Sequence, residues 1–223
     1  MSTLLTVNVT NNSPYQQSFY FFQQPAIYAG GYSVYSNSLW ASPLGPSATT
    51  GGQLTFMANV QFFAGVQQAV SLVPQVGQAS GYASASQPIN LATTGQQTTN
   101  DGTAMSVSPL GLTVPTYMSG VQPGAFRIVT PAYNPSVTPY NAGSATQANG
   151  LIVLSSFVVA PPNQNIDCQP ILKYYVAVGQ YTPGTVMNFS QSSVGSALCD
   201  FTGGFTSARV IYNADGTWSV QSS

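Results

Sequence analysis

Arg209-Val210-Ile211-Tyr212-Asn213-Ala214-Asp215-Gly216-Thr217-Trp218-Ser219-Val220 decides the fold class. β-Branched and aromatic residues flank Asn213-Ala214-Asp215-Gly216, where Gly216 can take a positive φ without steric cost, so the segment predicts two short strands joined by a tight turn. On the second arm Thr217, Ser219 and Gln221 alternate with Trp218 and Val220, which predicts one wet face and one buried face. A buried face needs a cover. The strongest strand upstream, residues 171–181 (ILKYYVAVGQY), is the best candidate to supply it.

Other strands follow from the same reading. Residues 5–10 alternate cleanly and stop at Asn11-Asn12-Ser13-Pro14. An aromatic run at 18–24 ends at Pro25, and a third run at 32–40 precedes Pro43, Gly45 and Pro46. Residues 53–63 place Leu54, Phe56, Val60 and Phe62 at period two, and the stretch extended to Val73 also fits helical spacing. Asn59, Gly65 and the valines favour strands. Further strands are expected at 105–107, 110–114, 125–129 and 150–160, the last apolar on both faces and therefore central. Residues 75–104, rich in Gln, Ala, Ser, Thr and Gly, read as irregular chain or short edge strands, and 130–150, with Pro131, Pro135, Pro139 and Gly143, as a surface loop. Together these predict an all-β protein: one antiparallel β-sandwich domain over 1–223, with 75–104 and 130–150 as long polar surface loops.

Composition narrows the function. The chain has 223 residues, 43% of them hydrophobic, with three Lys or Arg, four Asp or Glu and no His. All four acids are aspartates, at 101, 167, 200 and 215; the cations are Arg127, Lys173 and Arg209. A typical domain is about one quarter charged, so the surface here must be built from amides, hydroxyls and backbone. Nucleic acid is excluded as a partner, because binding phosphate takes clustered cations. No apolar run approaches the ~20 residues of a membrane span. The N-terminus lacks a basic and an apolar signal region and reads as a strand, which predicts an intracellular protein of the cytoplasm or a storage vacuole.

Proton-transfer chemistry is poorly supplied, since neither His nor Glu is present and enzymes of the common hydrolytic kinds lean on them. Asp167 and Asp200 could approach each other if Cys168 and Cys199 were bridged, the pairing that glycoside cleavage would need, and Asp101-Gly102 and Asp215-Gly216 read as turn pairs. No enzymatic activity, cofactor or metal is expected. Cys168 and Cys199 stand either as buried free thiols or as a bridge within or between chains. Trp40, Tyr28, Tyr32 and Tyr35, with Asn37 nearby, could stack and hydrogen-bond a saccharide, making a glycan the alternative partner; the competing reading places them in the core or at contacts between copies.

The segments KYYVAVGQYTPGTVMNF, SALCDFTGGFTSARV and NADGTWSVQ within 171–221, with TVNVTNNS, FFQQP at 21–25, SLW at 38–40 and PLG at 43–45, resemble the rhizosphere-induced RhiA family of bacteria. Residues 75–150 share no motif with it, and Thr185, Asn188 and Ser190 stand where the family carries acids. The resemblance implies a compact, soluble, β-rich protein made in quantity, and brings no active site. A weaker likeness, resting on no motif, is to the octin crystal proteins of zygomycete fungi; it would imply intracellular crystals held by surface hydrogen bonds and locked through Cys168 or Cys199. The expected function is therefore non-enzymatic self-assembly into an oligomer or lattice, as a structural or storage protein, with a lectin-like module and a secreted effector as alternatives.

Overall fold

The computed structural model describes residues 3–223. In chain order the elements are β1 (Leu4–Asn11), β2 (Gln17–Gln23), β3 (Ile27–Tyr28), β4 (Val34–Leu44), α1 (Ser47–Thr50), β5 (Leu54–Asn59), β6 (Phe63–Ala69), β7 (Gly81–Pro88), β8 (Gly102–Val107), β9 (Leu110–Leu112), β10 (Phe126–Val129), β11 (Tyr140–Ala148), β12 (Leu151–Val159), β13 (Asn165–Gln169), β14 (Lys173–Val178), β15 (Val186–Met187), α2 (Phe189–Val194), β16 (Ala197–Asp200), β17 (Ser207–Tyr212) and β18 (Trp218–Ser222). The all-β class expected from the sequence is what the chain forms.

Strands β16-β14-β2-β4-β12-β11-β5-β1-β17-β18 lie side by side. The path curls back on itself: Trp218 Nε1 on β18 donates to the Gly195 carbonyl, just ahead of β16, at 2.9 Å. The sheet is thus nearly closed. Alternate residues point inward, so Leu5, Val7 and Val9 of β1, Phe19 and Phe21 of β2, Leu54 and Phe56 of β5, Tyr174 and Val176 of β14, and Ala208 and Val210 of β17 share one core. Rings fill its centre, with Phe21 stacked on Phe56 at 4.5 Å. The 171–181 strand therefore does share the hairpin's core, as expected. Gly216 sits at φ 83° in the hairpin turn. Val220, however, is 41% exposed; among the described residues β18 pairs only with β17 and forms an edge.

At Asn59 the chain leaves the barrel, and β6 and β7 branch off β11 instead. A second sheet, β3-β13-β10-β8-β9, packs there. Ala64, Val66, Met105, Phe126, Ile128, Tyr140, Val158, Ile166 and Cys168 form the core between the layers. A smaller cluster on the outer face of β2 and β14 joins Tyr20, Phe22, Ala177 and Met187, against which Phe189 of α2 packs. The helical reading of residues 53–73 has no counterpart; β5 and β6 stand there.

Three expectations need correction. The pairing is not purely antiparallel: β1 runs parallel to β17, and β10 parallel to β8. The supposed surface loop 130–150 contains β11, a mostly buried strand paired with β12, β6 and, at one residue, β5. Its small residues are required by crowding, since a Cβ on Gly143 would lie 2.2 Å from Tyr28 Oη and 2.3 Å from the Ser156 carbonyl oxygen. The supposed loop 75–104 contains β7, an eight-residue strand whose backbone ladder, among the described residues, is with β6 alone.

Candidate functional site

The aromatics read as a sugar platform do not converge. Trp40 packs into the barrel core, 5.6 Å from Phe21. Tyr28 is buried in the interlayer core, its hydroxyl donating to the Ser156 carbonyl at 2.6 Å. Tyr32 packs on that same core, while Tyr35 stacks on Phe157 at 5.5 Å in a third cluster. Asn37, read as their polar partner, is fully buried and donates through Nδ2 to Ser80 Oγ and the Leu154 carbonyl, each at 2.8 Å. Ser80 in turn accepts from Asn141 Nδ2 through its carbonyl and donates to Gln67 Oε1. This polar knot fixes the chain just before β7.

Cys168 and Cys199 are free and buried, in the interlayer core and the barrel core respectively. No intramolecular bridge joins them. Burial pushes both thiols up to about 12, so neither supplies a thiolate at neutral pH.

The few charges are largely spent on one another. Arg127 and Asp167 face each other across β10 and β13 and form a two-pronged pair, Nε to Oδ1 at 2.6 Å and Nη2 to Oδ2 at 2.7 Å. Lys173 Nζ lies 3.0 Å from Asp200 Oδ2 across β14 and β16. Asp167 and Asp200 thus sit in different sheets with separate cations, and make no carboxylate pair. Asp215 is the turn former it was read as, its Oδ1 accepting from Thr217 N and Oγ1. Asp101 is no turn residue: it is 2% exposed and leads into β8. Among the described residues only Arg209, Asp101 and Asp215 lack an ion-pair partner. Four of the seven charged side chains are thus neutralised in pairs.

What the charges leave bare is an edge. The β7 sequence GYASASQP has no charged residue, and on its far side its backbone pairs with no strand among the described residues; Gln87 Nε2 alone reaches β9, donating to the Leu112 carbonyl at 3.4 Å. Tyr82 within β7, and Val70, Leu72, Val73 and Val76 in the connection that leads from β6 into it, are all about half exposed or more. Sheet edges in soluble proteins are normally guarded by Lys, inward charges or covering loops; here Pro88 at the end and a register shift near Gln68 are the guards present. The sequence did signal an uncharged Ala-Ser alternation at 83–86, but pairing to β6 alone, which makes it an edge, is a tertiary fact.

No helix among the described residues is long and apolar enough to cross a membrane. No family model, curated protein or solved structure matches the chain.

Proposed function

We propose that this is a non-enzymatic structural or storage protein that associates with copies of itself, its uncharged β7 edge pairing with another copy and amide and hydroxyl groups completing the contact. The observation that carries this reading is the uncharged β7 edge, paired in its backbone with β6 alone among the described residues, and the exposed apolar residues of the connection leading into it. Strand addition at such an edge satisfies backbone donors and acceptors that water otherwise holds, and fixes a register. Ordinary proteins resist it through like-charge repulsion, whereas here two of the three cations are already paired internally. The second edge, β18, is equally uncharged, so contacts at both ends would extend as a chain or lattice. The likeness of residues 171–221 to the rhizosphere-induced family belongs to the same reading, since it implies a protein made in quantity.

Light scattering against protein concentration tests it. Mass should rise with concentration and hardly respond to salt, because apolar and hydrogen-bonded contacts are not screened. A Ser84→Lys, Ser86→Lys variant, placing cations on the edge, should stay monomeric. A wild-type chain that remains single at high concentration, or a variant that assembles equally well, would contradict the proposal.

A further inference from the structure

Asp101 is the least exposed carboxylate in the chain and the one for which the self-assembly reading has no use. It lines a cavity of about 280 Å³ whose other walls include Thr93, Thr94, Gln96, Gln97 and Tyr117. Oδ1 accepts the Met118 amide at 2.9 Å. The residue is only 2% exposed, and the surface it keeps lies in the wall of the cavity. A carboxylate so nearly withdrawn from bulk water is poorly solvated, so the position is suited to a ligand that brings donors of its own.

The walls are held in place from behind. Arg127 N donates to the Asp101 carbonyl at 2.8 Å, and its guanidinium binds the Ser119 and Gly120 carbonyls, each at 3.1 Å, as well as Asp167. The opposite wall is tied to the same region, Gly124 N donating to the Ala92 carbonyl and Ala92 N to that of Ala125. Both sides are thus anchored at the start of β10, which limits the ordering cost of binding.

The chemistry of the lining selects the ligand class. A divalent cation needs six or more oxygen ligands, but Asp101 is the single carboxylate here and the Ser119 and Gly120 carbonyls are occupied by Arg127. The neighbouring positive guanidinium also weighs against an organic ammonium. Neutral hydroxyls meet neither objection: adjacent ones can donate to the carboxylate, the Thr and Gln side chains offer both donors and acceptors, and the Tyr117 ring with Val121 and Pro123 offers apolar surface to the C–H face of a ring. We propose that this cavity binds a neutral, hydroxyl-rich small molecule of monosaccharide or cyclic-polyol size, with Asp101 accepting hydrogen bonds from its hydroxyls. The site is separate from the β7 edge and does not depend on assembly there.

Titration calorimetry with glucose, galactose, mannose and myo-inositol tests this, with saturation-transfer NMR as the second readout. At least one should bind saturably. Asp101→Asn keeps an oxygen for the Met118 amide yet loses the charge, and should weaken binding by about tenfold or more. Tyr117→Ala, at a partly exposed position, should weaken it several-fold with the melting temperature unchanged, and Asp215→Asn should have no effect. No saturation by any of the four up to ~20 mM, a range that spans weak single-site affinities, would overturn the proposal. So would equal affinity in Asp101→Asn, or preferential binding of calcium or methylammonium.

Discussion

Cys168 and Cys199 show how much a residue's chemistry depends on where it is put. With both thiols pushed up to about 12 by burial, a disulfide reagent at pH 8 should label neither in the native chain and both after denaturation. Labelling of either in the folded protein, at the rate of a free thiol, would count against the two-core arrangement. Side-chain type proved a poor guide to the aromatics. Trp40, Tyr28, Tyr32 and Tyr35 are close in sequence and could have faced one groove, but β3 and β4 belong to different sheets, and the four rings went to three clusters. Asp101 was misread in the opposite direction. An Asp-Gly pair is a common turn, and nothing local says that this carboxylate is enclosed by residues 92–97 and 117–123.

At the scale of elements, strands that alternate large and polar residues, such as β1, β5 and the β17–β18 hairpin, were legible because burial on one face stamps a period of two on the sequence. β11 was not legible. Its sequence YNAGSATQA has few residues of high strand preference, yet it is largely buried, since small side chains are what let it fit between β12 and β6 beside Tyr28. Packing overrode propensity there. Gly143→Ala should therefore destabilise the fold by about 3 kcal/mol, the cost of forcing a methyl group into filled space, read as a lower denaturant midpoint. Gly150→Ala has open space around it but sits at φ 87°, so its cost should come from backbone strain alone, about 1–2 kcal/mol. Equal, negligible effects at both positions would mean that β11 is not the crowded strand described.

On the scale of the whole molecule, scarcity of ionisable groups sets the pH response. With no His or Glu, no side chain has an ordinary pKa between about 5 and 8, so stability should be flat there. At the alkaline end the folded state holds the protons of Cys168 and Cys199 up to about 12, against an ordinary value of 9.0, and that of Tyr133 likewise to about 12, against 10.0. Unfolding then releases protons, so this contribution is complete below about 9 and is lost as pH climbs toward 12. At the acid end Asp200 is held below its ordinary value by hydrogen bonds from Thr202 and by Lys173; that smaller contribution is present above about 4 and fades on further acidification. Thermal melts across pH 3–11 should show a broad plateau with its steeper fall on the alkaline side, and a maximum confined to one narrow pH would contradict it.

The same scarcity of charge leaves β7 open to another copy, and hydrogen exchange measured against protein concentration tests that most directly. The account predicts that amides in 82–87 not bonded to β6 become protected as concentration rises and particle mass grows, while Ser84→Lys, Ser86→Lys removes both effects. Growth of the particle with exchange in 82–87 unchanged would place the contact elsewhere and contradict the account.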